Sequence, residues 1–258
     1  MVIARLKKLS VVSLACFVII ICSSNKKQNA GGKKTGTIKI SFINTVTAAP
    51  LLLDSAAYTN PFGEPYRVSK LKYYISNISL NNLQYTFAEA ESYHLIDAGD
   101  SGSLHFSFDA AVNNYNRLSF IVGVDSIKNV SGAQSGALDP IHGMFWTWNS
   151  GYTFFKLEGT STASTIINHK IEYHIGGFAG VNNALQRVTL QLPADKLLQV
   201  QEGKSSEIII AANLDKLWQS TNDLKIAVTP ATMTPGALSK KIAANYSKMF
   251  TIKEVRNN

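Results

Sequence analysis

The chain has 258 residues, a formal charge of +8 and only two cysteines. Residues 1–21 carry Arg5, Lys7 and Lys8 with no acid, and residues 23–36 carry Lys26, Lys27, Lys33 and Lys34. The remainder is therefore close to neutral, and the high isoelectric point is no argument for nucleic-acid binding.

Met1 to Ser10 is basic, and an apolar run from Leu9 to Ile21 follows, the form of a secretion signal. As a helix that run is about 20 Å long, short of the roughly 30 Å hydrocarbon core, so a permanent span is the weaker reading. Cys16 and Cys22 both fall in residues 1–22, which leaves no disulfide for a mature domain and suggests lipid attachment. Cys16 follows the small Ala15 but would leave an apolar start. Cys22 opens the polar run SSNKKQNAGGKK and is preferred for that organisation, although Ile21 is a poor residue before a processing site. An ordinary apolar cysteine of a cleaved signal is the remaining alternative. Residues 23–36 read as a flexible tether.

From Thr37 the chain is long enough for one large domain with a substantial core. Thr37–Asn44 alternates, with Ile38, Ile40 and Phe42 on one side. Strands are then expected at Leu71–Leu80, Tyr93–Asp97, Leu104–Phe108 and Arg117–Val124. Further ones are expected at Ile166–Gly177, Gln186–Leu192, Glu207–Ala212 and Phe250–Val255. A helix capped by Asn213 is expected at Leu214–Trp218, and another at Leu238–Met249. Short strands bounded by turn residues point to an all-β fold, a β-sandwich of mostly antiparallel strands with a short C-terminal helix.

The centre of the chain is Leu138–Gly159, which holds six aromatic residues, His142 and Met144 in 22 positions. Asp139-Pro140 starts a turn, Met144–Trp148 reads as a strand, Asn149-Ser150-Gly151 turns again, and Tyr152–Leu157 returns as a hairpin. Alternation puts Met144, Trp146 and Trp148 on one face. Such a hairpin is often plain core, since each ring buries about 150–250 Å². An imidazole and a thioether close to two indoles nevertheless suit copper. The H-E-x-x-H, C-x-x-C and EF-hand signatures are absent. Of the five histidines, His105 and His169 read as ordinary strand residues. Alternation places His169 with Ile171, Tyr173 and Ile175, and His174 with Glu172, so those two histidines cannot share an ion.

The run DPIHGMFWTWNSGYTFFKLEG (139–159), followed by EYHIGG (172–177), resembles the MbnP-like family of bacterial extracytoplasmic copper-binding proteins, to which the MopE and CorA type proteins are related. Weaker likeness covers YYISNISL (73–80), SYHLID (92–97) and FIVGVDS (120–126). The resemblance implies copper as cofactor, with His174 of YHIGG as the ligand that fits the family motif best. His142, Met144 and His94 are the further candidates. It also implies that Trp146 or Trp148 is oxidised to kynurenine by a di-haem cytochrome c peroxidase-type partner, MbnH. The chain departs from the better-studied copper proteins in lacking a Trp-x-His or His-x-His spacing.

Three functions compete on these residues. The first is a monomeric, non-enzymatic copper-binding protein, secreted or anchored to the outer membrane by lipid and acting in copper acquisition or handling. The second is a metal-free ligand-binding or adhesion module that uses Trp146, Trp148 and Tyr152 as a stacking platform. The third, a hydrolase, lacks the G-x-S-x-G elbow and any assignable triad.

Overall fold

The computed structural model describes residues 34–147 and 151–258. The expected signal, both cysteines and most of the expected tether lie outside the described residues, as does Trp148. The principal strands are β1 (Thr35–Val46), β2 (Pro65–Asn81), β3 (Tyr93–Asp97), β4 (His105–Ala111), β5 (Arg117–Val122), β6 (Phe145–Thr147), β7 (Gly151–Thr160), β8 (Lys170–Gly176), β9 (Gln186–Gln191), β10 (Ser205–Asn213) and β11 (Phe250–Asn257). Among the described residues three short α-helices accompany them: α1 (Ser126–Val130), α2 (Asp215–Trp218) and α3 (Ala237–Tyr246). The fold is all-β, as expected. The first strand starts two residues earlier than Thr37, and Asn213 Oδ1 accepts the Asp215 N–H of α2 at 3.0 Å.

Two sheets face each other. The smaller runs β11-β10-β1-β4, and its central pair, β1 with β10, is parallel. Along β10, Ser206, Ile208, Ile210 and Ala212 are buried, while Glu207 on the other face pairs with Lys39 of β1 and Arg256 of β11. The larger sheet runs β9-β5-β2-β7-β8, with β3 on the opposite edge of β2 from β7. At 17 residues, β2 is long enough to pair with β7 along its first half and with β5 along its second.

Alternation supplies the core between the sheets. Phe42 of β1 and Phe250 of β11 meet Tyr73 of β2 and Phe120 of β5 in edge-to-face contacts, with centroids 5.3–6.4 Å apart. The buried Tyr73 hydroxyl donates to Asn44 Oδ1 at 2.9 Å, so the one polar atom of that cluster is satisfied. The helix α3 closes one side. Its Tyr246 ring stacks on Phe155 at 5.1 Å, and the Tyr246 hydroxyl donates to the Ala184 carbonyl.

A second, smaller apolar layer lies on the other face of the large sheet. There Tyr74, Tyr152 and Phe154 are covered by residues 123–145. The Tyr74 hydroxyl donates to the Ala137 carbonyl and that of Tyr152 to Leu138, which ties the covering segment down. The large sheet is thus a central layer. Phe42 is 3 % exposed at the middle of the main core, so Phe42→Ala should cost about 3–5 kcal/mol. Urea unfolding should show a lowered midpoint with an unchanged slope.

Candidate functional site

The expected hairpin forms, but with a break in its alternation. Phe145 pairs with Tyr152 and Thr147 with Gly151, so the register slips by one residue between them. Met144 is consequently fully buried in the core rather than facing out beside the indoles. Phe145 packs on Tyr152 at 4.9 Å. The half-buried Trp146 turns toward β8, and its ring carbons Cζ3 and Cη2 lie 2.7 and 3.0 Å from where a Gly176 Cβ would stand. Gly176 and His174 are two residues apart on one strand and share a face. Trp146 therefore lies one pleat along from His174.

His174 ends a charged patch that the register assembles from four strands. One row across the outer face reads His174, Lys156, Lys72, Asp97, and the next reads Glu172, Glu158, Lys70. Glu158 bridges the rows: Oε2 receives Lys70 Nζ at 2.8 Å, and Oε1 lies 2.9 Å from His174 Nε2. Lys72 Nζ pairs with Asp97 Oδ2 at 2.8 Å and also donates to the His142 carbonyl at 3.3 Å. Lys156 donates to the Gly143 carbonyl and has no carboxylate partner among the described residues.

Electrostatics set the protonation of this row. Burial pushes the His174 imidazole below its usual value, and the Lys156 ammonium adds to that against the upward pull of Glu158. Burial alone would raise Glu158, but hydrogen bonds from Lys70 and His174 outweigh it and hold the carboxyl below the usual range. Burial also lowers Lys156, with repulsion from Lys70 and Lys72 reinforcing it against Glu158. His174 is therefore neutral at neutral pH. With Glu158 ionised, the ring proton sits on Nε2 and the lone pair on Nδ1, the carboxylate–histidine arrangement found behind metal ligands.

The other candidates stand apart. His94 pairs with Ile75, on the opposite face of the sheet from Asp97, and its ring stacks on Phe106 of the smaller sheet at 3.5 Å. Both Glu89 oxygens hold its Nε2 at 3.0 Å. His94 and His174 cannot bind one ion, because a sheet lies between them. His142 sits in the exposed turn Pro140–His142, ended by Gly143 at φ +66°, and its Nε2 lies 3.0 Å from the Gly136 carbonyl. Its backbone hangs over Lys72, two strands and about 10 Å from His174. His169 is not in a strand. It ends a tight turn at φ +54°. Among the described residues no three His, Cys, Asp or Glu side chains converge.

Tested against copper, these residues supply one nitrogen fixed in advance, His174 Nδ1. A second, His142, is held by a single hydrogen bond and is free to turn. Met144 is fully buried in the core, and the flanking ammonium groups oppose a cation. The Lys72–Lys156 pair belongs to the site and gives no signal in the sequence. Glu158 sits two residues from Lys156 and has Lys70 and His174 opposite only once the register is known.

Two outcomes follow. Lys156→Met should raise the His174 titration midpoint and Glu158→Gln should lower it, as followed by imidazole proton shifts. Because the folded His174 pKa lies below the unfolded value near 6.5, its contribution to stability is complete above that pH and lost as pH falls toward the folded value. Urea midpoints should fall across that window, and less steeply in His174→Gln.

No curated protein is significantly similar to the chain. A solved structure, MbnP from Methylosinus trichosporium, superposes with a TM-score of 0.56 over 80 % of this chain and 87 % of that one, at 14 % identity, a likeness of fold. The family model MbnP matches residues 35–235. That stretch takes in the larger sheet, all of the smaller one but β11, the aromatic hairpin and the His174 strand, and the chain belongs to the MbnP family.

Proposed function

We propose that this protein is an extracytoplasmic copper-handling protein rather than an enzyme, with His174 Nδ1 as the anchoring ligand. The supporting observation is the neutral imidazole of His174, oriented by Glu158, one pleat from Trp146. His142 completes the pair by rotating away from Gly136. Copper, when bound, supplies a one-electron couple next to an electron-rich indole. Glu158 keeps the His174 proton on Nε2, Gly176 admits Trp146 to the strand, and Lys72 and Lys156 hold the turn that carries His142. Trp146 is then the residue for oxidation to kynurenine: two equivalents of hydrogen peroxide, used through a di-haem peroxidase-type partner of the MbnH kind, cleave the indole C2–C3 bond, and the C2 carbon leaves as formate with water as the other product. Kynurenine exchanges one ring carbon for an oxygen and exposes an aryl amine and a ketone. A lipid on Cys22 would keep the protein at the outer membrane.

The reading places the metal on one face only, so variants on the two faces separate it from non-specific uptake. In competition titrations of Cu(I) against a chromophoric chelator, His174→Ala should lose at least tenfold in affinity. Glu158→Gln should lose roughly 10–100-fold, the range seen for groups that orient a ligand. His94→Ala should bind as the parent does. Equal affinity in His174→Ala and the parent would remove His174 from the site. Peptide mapping of protein from its native host should place the carbon-for-oxygen exchange on Trp146, and an unmodified Trp146 would end that part of the reading.

A further inference from the structure

At the far end of the same sheet, four segments line an open cleft, a cavity of about 460 Å³ between residues 57, 65–67, 160–162 and 168–169. Thr160 pairs with Lys170 four residues down the strands from the Lys156–His174 pair, so the cavity lies about 13 Å from His174. It is a separate site. Its volume falls within the ~300–1,000 Å³ of small-molecule sites.

The loop that forms one wall is built by its serines. Ser161 Oγ donates to the Pro65 carbonyl, Ser164 Oγ donates to the Lys170 carbonyl, and the Ser161 N–H donates to the His169 carbonyl at 2.8 Å. These bonds hold Asn168 and His169 in succession at φ +61° and +54°, a left-handed pair with no glycine in it. Such strain persists only where its surroundings impose it, and it recurs at ligand sites. The Nδ1 of His169 lies 3.2 Å from the Ser164 carbonyl, which can only accept, so in the neutral ring Nδ1 carries the proton and Nε2 the lone pair.

The chemistry of the walls selects a ligand class. The exposed Ala57 and Pro65 supply apolar surface, and no acidic residue is among the described residues that line the cavity. Arg67 gives one N–H to the Ser55 carbonyl at 3.1 Å and has no carboxylate partner among the described residues. A guanidinium fork without an acid, in a site with exposed apolar surface, matches a carboxylate bidentately. The hydroxyls of Thr160 and Thr162 and the Asn168 amide add neutral hydrogen-bonding groups around it.

We propose that this cavity binds a small carboxylic acid with a flat apolar body, its carboxylate on Arg67 and its apolar body against Ala57 and Pro65, with His169 Nε2 accepting from any hydroxyl it carries. This binding is independent of copper. Saturation-transfer NMR on the full chain, with benzoate and phenylacetate as probes and benzyl alcohol as the uncharged counterpart, tests it. Both acids should receive saturation, and benzyl alcohol at least tenfold less. Arg67→Met, an exposed position that leaves the fold intact by thermal unfolding, should weaken benzoate binding at least tenfold. His169→Gly, which accepts φ +54° without strain, should weaken binding of 4-hydroxybenzoate several-fold, and His174→Ala should change nothing. Acids that bind no better than benzyl alcohol, or an Arg67→Met protein that binds benzoate as the parent does, would overturn the proposal.

Discussion

The absence of one methyl group governs the geometry of the candidate site. At Gly176 the β8 backbone is bare, and the six-membered ring of Trp146 occupies the space any other residue would fill. A Cβ there would stand 2.7 Å from the ring and 2.6 Å from the Tyr152 carbonyl, so neither the indole nor the β7 backbone could stay where it is. The slip in register between Phe145 and Thr147 delivers the ring to that spot. Remove either feature and Trp146 leaves the strand that carries His174.

The large sheet has two faces with different work. Its inner face buries Leu71, Tyr73, Ile75 and Phe155 in the main core against the smaller sheet. Its outer face is divided. Residues 123–145 cover one end with a second aromatic layer, while the other end keeps lysines and carboxylates in ladder positions. His174 sits at the boundary, buried enough to lose its charge yet within reach of Glu158. The same boundary explains the lysines: Lys72 and Lys156 reach up to the carbonyls of His142 and Gly143 and so fasten the covering segment to the sheet. Their charges weaken a bare cation's attraction to the row. A copper site here depends on how far His142 can turn.

Much of this was legible before any coordinates. The alternation of Ile38, Ile40 and Phe42 fixed the face of β1, and that of Ile171, Tyr173 and Ile175 fixed which side His174 takes. The hairpin around Gly151 followed from its turn residues. What failed has one physical origin, because period-two reasoning holds only within an unbroken strand. The bulge in β6 sent Met144 into the core. The left-handed turn at Asn168-His169 took His169 out of the strand expected to hold it. Partners across strands were equally hidden, since nothing local to Lys72, Lys156 and Glu158 says that they flank His174, or that the opposed faces of β3 and β8 separate His94 from it.

The account rests on His174 being a neutral imidazole with its proton on Nε2 and its lone pair on Nδ1. Nitrogen-15 NMR of ring-labelled protein at neutral pH, before and after one equivalent of Cu(I), tests that most directly. The expected spectrum shows Nε2 in the protonated range, Nδ1 in the bare range, and a metal-induced shift confined to Nδ1. A ring protonated on Nδ1, or an Nδ1 signal that copper leaves unmoved, would contradict it.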